Sequence, residues 1–137
     1  MSIKLSFGID SFLLQKAAFK HLRIAFVTNN AATTSSGTLS RVALLNNQFN
    51  LVKIFSPEHG ISVRGEDGVK QENRTDDITG LTVISLYGTK MGPLESDLQD
   101  VDLVLFDIPD IGCRFYTYLW TMTYVMESCA AFDIPFV

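Results

Sequence analysis

Five short apolar runs set the terms on which this chain can fold: 23–28 (RIAFVT), 51–55 (LVKIF), 81–86 (LTVISL), 101–106 (VDLVLF) and 134–137 (IPFV). Each is strand-length, rich in β-formers, and continuous instead of alternating with polar residues. Continuous runs belong to strands buried on both faces, as in a parallel sheet sandwiched between helices. The intervening segments fit. Residues 10–21 carry Phe12, Leu13, Ala17 and Ala18 at helical spacing, with Asp10 or Ser11 as N-cap. Thr38 opens a helix to about Asn47, with an apolar stripe of Leu39, Val42, Ala43 and Leu45. Pro93–Leu98 predicts a short helix, and Phe115–Ala131 a longer one rich in aromatics and methionine. Residues 56–80 show no periodicity and read as a long loop. The expected architecture is therefore α/β: three layers, a mostly parallel sheet of about five strands, and right-handed crossovers.

Parallel strands share one direction, so the residues that follow them share one rim. Ligands of open α/β sheets bind there. Thr28-Asn29-Asn30 follows the first run, Ser56-Pro57-Glu58-His59-Gly60 the second, Tyr87-Gly88 the third, and Asp107 to Arg114 the fourth. The densest stretch is Phe106 to Tyr118, which packs Asp107, Asp110, Arg114, Tyr116 and Tyr118 around Gly112 and Cys113.

Glu58 is the leading acid–base candidate. A partly desolvated carboxyl at such an edge has its pKa raised toward working pH, although a cap or a surface ion pair explains it equally well. His59 either braces the loop or shuttles protons. Asp107 and Asp110 are candidates for a second carboxylate, or they hold Arg114, with Asp110–Arg114 the favoured structural pair. Arg114 has the planar fork that clamps a carboxylate or phosphate. Tyr116 and Tyr118 suit a sugar pocket or simple half-burial. Asn29 and Asn30 suit hydroxyl-rich ligands or a plain turn.

Several function classes fall away. The formal net charge of −4 argues against nucleic acid. No apolar run reaches the roughly 20 residues of a membrane helix. Residues 1–10 lack the apolar core of a signal peptide; as written the chain reads as cytoplasmic, an expectation that an upstream export leader would overturn. Two cysteines, Cys113 and Cys129, and two histidines, His21 and His59, give no metal-site spacing, and the cysteines read as reduced thiols. The loop after the first strand, Asn29-Asn30-Ala31-Ala32-Thr33-Thr34, is neither Gly-x-Gly-x-x-Gly nor a P-loop, so no nucleotide cofactor is implied. No Gly-x-Ser-x-Gly elbow occurs. The last residues read as entry to a further core strand, which predicts a piece of a longer protein.

The order and spacing of Gly8-Ile9-Asp10, Val27-Thr28-Asn29-Asn30, Phe55-Ser56-Pro57-Glu58-His59-Gly60, Ser85-Leu86-Tyr87-Gly88 and Phe106 through Tyr118 resemble one family, the exo-β-N-acetylmuramidases of peptidoglycan turnover, formerly a domain of unknown function. The resemblance runs from about Gly8 to the last residue. It implies that residues 1–137 are the Rossmann-like N-terminal domain, with the family's smaller C-terminal domain absent. It also implies hydrolysis of terminal β-linked N-acetylmuramic acid from peptidoglycan fragments, without metal or organic cofactor. The family's catalytic glutamate falls on Glu58, with His59 and Asp107 beside it. Asn29, Asn30, Tyr87, Asp110, Arg114, Tyr116 and Tyr118 become pocket residues, with Arg114 a partner for the lactyl carboxylate. Asn30, Pro109 and Cys113 depart from the family's usual residues. The alternative is a non-catalytic sugar- or peptide-binding module on the same fold.

Overall fold

The computed structural model describes residues 5–65, 68 and 72–137. The elements run α1 (Gly8–Leu13), α2 (Lys16–Phe19), β1 (Ile24–Thr28), α3 (Ser40–Asn46), β2 (Leu51–Ser56), β3 (Arg74–Thr75), β4 (Thr82–Ser85), α4 (Glu95–Leu98), β5 (Leu103–Asp107) and α5 (Tyr118–Ala131). The sheet order is β3-β4-β2-β1-β5. β1 pairs in parallel with β2 and β5, and β2 with β4; β3 alone runs antiparallel.

The continuous apolar runs are buried on both faces as expected, and β1 is buried at every position. One face carries Ile24, Phe26, Leu103 and Leu105 against Ile9, Phe12 and Leu44 of α1 and α3. The other carries Ala25, Val27, Phe55 and Val104 against Leu98 of α4 and Tyr118, Val125 and Cys129 of α5. Helix, sheet and helix thus form three layers, a Rossmann-like α/β domain.

Four expectations change. The 10–21 helix is two short helices, broken at Leu14–Gln15, and Asp10 is not its N-cap: it reaches back from the third helical position to accept the Phe7 N–H at 2.8 Å. The fifth strand is not 134–137. That segment runs parallel along the outer edge of β5, with Val104 N–H donating to Pro135 O, Val137 N–H to Val104 O and Phe106 N–H to Val137 O, and forms the single bridge Val104–Phe136, Pro135 having no N–H to add. The fifth strand is instead β3, inside the segment read as loop; residues 66, 67 and 69–71 of that segment lie outside the described residues, as do 1–4. Finally, the buried stripe of α3 is Ser40, Arg41, Ala43 and Leu44. Arg41 turns inward because Asp76 waits for it: Nε to Oδ2 is 2.9 Å and Nη2 to Oδ1 is 3.3 Å. The pair clips α3 to the turn between β3 and β4. Both cysteines are free thiols, and burial pushes Cys129 up to about 11.

Candidate active site

The strands end together at the rim, where register places Ser56 beside Ser85 and Thr28 beside Asp107. Past β2 the chain turns sharply. His59 and Gly60 are both left-handed, at φ 66° and 70°, a conformation that costs a residue with a Cβ and collects at functional sites. The turn is held by His59 Nδ1–H donating to Gly65 O at 2.9 Å and by Asn30 N–H donating to Ile61 O at 2.8 Å. It presents Glu58, only 7% exposed, at the floor of the rim.

Glu58 and His59 line a cavity of about 390 Å3 with Phe115, Tyr116, Thr117 and Tyr118. A neighbouring cavity of about 520 Å3 shares His59, Tyr116 and Tyr118 and continues to Ala31, Val63, Pro109 and Ile111. Together they form a cleft of ligand size. The Tyr116 and Tyr118 rings meet edge to face, 5.2 Å between centroids and 88° between planes. This supports each ring and leaves an aromatic wall between the two cavities.

The electrostatics of Glu58 oppose the expectation drawn from its position. Burial does push its pKa up, but the Thr117 hydroxyl, the Gly68 N–H and the Tyr87 hydroxyl hydrogen-bond the carboxylate, His59 adds a smaller attraction, and the net shift is downward. The Gly68 N–H lies 2.9 Å from Oε1. Hydrogen bonds to the charged form win over desolvation, so Glu58 rests as a carboxylate.

Asp107 shows the opposite balance. Burial raises its pKa and repulsion from Asp10 adds to that, against a lowering hydrogen bond from Ser40. The Ser40 Oγ to Asp107 Oδ2 distance is 2.5 Å. Alternation along β5 turns Asp107 toward the α1/α3 layer, the side of Leu103 and Leu105, while Tyr118 belongs to the α5 layer. Asp107 is not among the described residues lining either cavity. The structure therefore does not bring Glu58 and Asp107 together as a facing pair.

The remaining candidates divide. Tyr116 and Tyr118 line the cleft, and Tyr87 reaches Glu58. Asn29 is fully buried, with Oδ1 accepting the Ala31 N–H at 2.9 Å. Asn30 is half-buried, and its Oδ1 has no partner among the described residues. Asp110 is exposed and accepts the Gly112 N–H at 2.6 Å, so it shapes its own turn. No ion pair joins it to Arg114 among the described residues, and Arg114 stands exposed outside the cavity lining. The favoured Asp110–Arg114 pair is thus replaced by a local Asx turn, which needs only a backbone N–H two residues on.

Two contributors went unread in the sequence. Thr117 sits at the N-cap of α5 and turns its hydroxyl to Glu58 instead of to its own helix; a hydroxyl residue between two tyrosines was its only signal. Gly68 contributes a backbone N–H, for which no side-chain signal exists. Among the described residues no group of three or more His, Cys, Asp or Glu side chains is placed to hold a metal ion, and no helix is long and apolar enough to cross a membrane.

Comparison with known proteins places these features in a family. Residues 24–137 match the family model described as exo-β-N-acetylmuramidase NamZ, N-terminal. The chain is 39% identical to the peptidoglycan β-N-acetylmuramidase NamZ of Bacillus subtilis over 136 residues, which covers 98% of this chain and 33% of that protein. Crystal structures of two DUF1343 family proteins from Bacteroides fragilis superpose with TM-scores of 0.84 and 0.76, each at 33% identity. They cover 99% and 96% of this chain, and 34% and 33% of their own. The chain thus spans about a third of the length of these relatives.

Proposed function

Because the chain belongs to the NamZ exo-β-N-acetylmuramidase family, we propose that it supplies the Glu58 wall of a glycosidase cleft that releases terminal N-acetylmuramic acid from peptidoglycan fragments. The observation that carries the proposal is Glu58 itself: a nearly buried carboxylate, fixed by a strained turn, on the floor of a cleft walled by tyrosines.

Glycoside cleavage needs one group to protonate the leaving oxygen and another to attack the anomeric carbon or activate water for that attack. A carboxylate whose charged form is favoured suits the second role. Glu58 therefore acts in this proposal as base or nucleophile, in place of the raised-pKa acid expected from the sequence. Thr117 and Tyr87 aim it and keep it ionised. The aromatic wall of Tyr116 and Tyr118 offers faces for the pyranose ring. Arg114, exposed beyond the cleft, is proposed to meet the lactyl carboxylate. Asp107 is assigned no step, because it does not line the cleft.

The test is hydrolysis of para-nitrophenyl β-N-acetylmuramide by the full-length protein and its Glu58→Gln variant. Turnover that falls about 10^2–10^4-fold in the variant, with folding intact, supports the assignment. A folded wild-type protein that binds N-acetylmuramic acid without turnover establishes the binding module instead.

A further inference from the structure

Val63 is an unlikely residue for its position. Its backbone is left-handed, at φ 55°. A β-branched side chain fits that conformation poorly, and such outliers gather at functional sites. The loop imposes the conformation: the Val63 N–H donates to Gly60 O at 3.3 Å and the Gly65 N–H to His59 O at 3.1 Å. Core packing does not account for a valine there. The side chain is 42% exposed and belongs to none of the three apolar clusters of the core. Glycine or asparagine would sit in the turn more easily. What Val63 does line is the larger cavity of the cleft, together with Ala31, Pro109 and Ile111, the last 67% exposed.

We propose that Val63 and Ile111 form the apolar side of a second sugar subsite, which takes the neutral sugar on the leaving side of the cleaved bond. This rests on the glycosidase reading for which ring is attacked. Among the described residues Glu58 lines only the smaller cavity, so the terminal sugar occupies that one. The two cavities share His59 and the wall of Tyr116 and Tyr118. Two linked pyranose rings laid across that wall put the second ring in the larger cavity. The lining decides which part of the substrate belongs there. N-acetylmuramic acid is an anion, and among the described residues no lysine or arginine lines the larger cavity. A neutral pyranose matches it better, with C–H faces for Val63 and Ile111 and hydroxyls for the tyrosine O–H groups. Val63 thus determines specificity for the leaving sugar, and its strained backbone holds an apolar surface where a relaxed turn residue would offer none.

The test uses the full-length protein and two ligands. The disaccharide of N-acetylmuramic acid β-linked to N-acetylglucosamine fills both cavities; N-acetylmuramic acid alone, as a competitive inhibitor, fills the smaller. Val63→Asn suits the left-handed turn and removes the apolar surface. It should lower kcat/KM on the disaccharide about tenfold, the scale of a lost apolar contact in a pocket. It should leave the inhibition constant of N-acetylmuramic acid unchanged, and hold or raise the melting temperature. Val63→Ile keeps the apolar surface and should keep wild-type kcat/KM. A lower melting temperature in Val63→Asn marks a structural residue, an equal loss of N-acetylmuramic acid binding puts the terminal sugar against Val63, and an unchanged kcat/KM denies the contact; each overturns the proposal. The second readout needs no turnover: methyl NMR of valine-labelled protein in the Glu58→Gln background, where the disaccharide stays intact, with Val63 assigned from Val63→Ile. The Val63 methyl signals should shift with the disaccharide and not with N-acetylmuramic acid, and signals that stay put overturn the subsite. The same shift in a protein whose wild type never hydrolyses the disaccharide sinks the muramidase reading and leaves the subsite standing.

Discussion

Replacing Asp76 with alanine should be among the most damaging single changes to this fold. Asp76 accepts hydrogen bonds from Arg41 Nε and Nη2 and from the Thr79 N–H and hydroxyl. The side chains of Arg41 and Asp76 are 1% and 5% exposed, so no solvent stands by to replace either partner. Asp76→Ala leaves a guanidinium buried without its counter-charge, and breaking such a pair from one side costs about 3–5 kcal/mol. At about 3 °C per kcal/mol for a chain of this size, the melting temperature should fall by about 10–15 °C. The apolar double variant Arg41→Met/Asp76→Leu removes both charges, and should lie within about 1–2 kcal/mol of wild type. Urea denaturation followed by far-UV circular dichroism measures both. A loss below about 1 kcal/mol for Asp76→Ala would refute the reasoning, since water would then be reaching Arg41. So would a double variant as unstable as the single.

Other perturbations give equally definite outcomes. Thr117→Val or Tyr87→Phe removes a hydrogen bond that favours the Glu58 carboxylate. The acid limb of kcat/KM, expected below the ordinary glutamate value in wild type, should then move to higher pH; a limb that stays put refutes the role given to these hydroxyls. The sign for Asp107 is opposite. Its folded pKa is raised, so ionising it costs stability as pH rises through the folded value. Asp107→Asn should therefore raise the melting temperature near neutral pH and lose that advantage in acid. Gly92→Ala should destabilise by about 1–3 kcal/mol in denaturant titrations, because a Cβ there would sit 2.8 Å from Ser128 Oγ and 3.0 Å from Tyr124 O on α5.

Much of this architecture was legible in the sequence because burial on both faces leaves a simple mark. Runs such as Ile24–Thr28 and Leu103–Asp107 are strands because little else can bury so many consecutive β-formers. Their shared direction put Glu58, Tyr116 and Tyr118 at one rim. The failures have a common physical cause, dependence on partners distant in sequence. Arg41 reads as solvent-facing until Asp76 is placed beside it. Arg74–Thr75 is too short and too polar to read as a strand, and exists only by pairing with β4. Glu58 keeps its charge because Thr117 before α5, the Gly68 N–H and Tyr87 beyond β4 converge on it. The strand-end pattern gave the rim, but not the face to which Asp107 turns.

The β3 border of the sheet carries a consequence of its own. It ends in two exposed residues, Arg74 and Thr75. A longer, smoother strand there would be a template on which a neighbouring molecule could add its own backbone. A short, charged stub is one of the devices that blunt such templates. At this border the sheet resists growing from molecule to molecule, and the brevity of β3 is a safeguard against fibrous assembly.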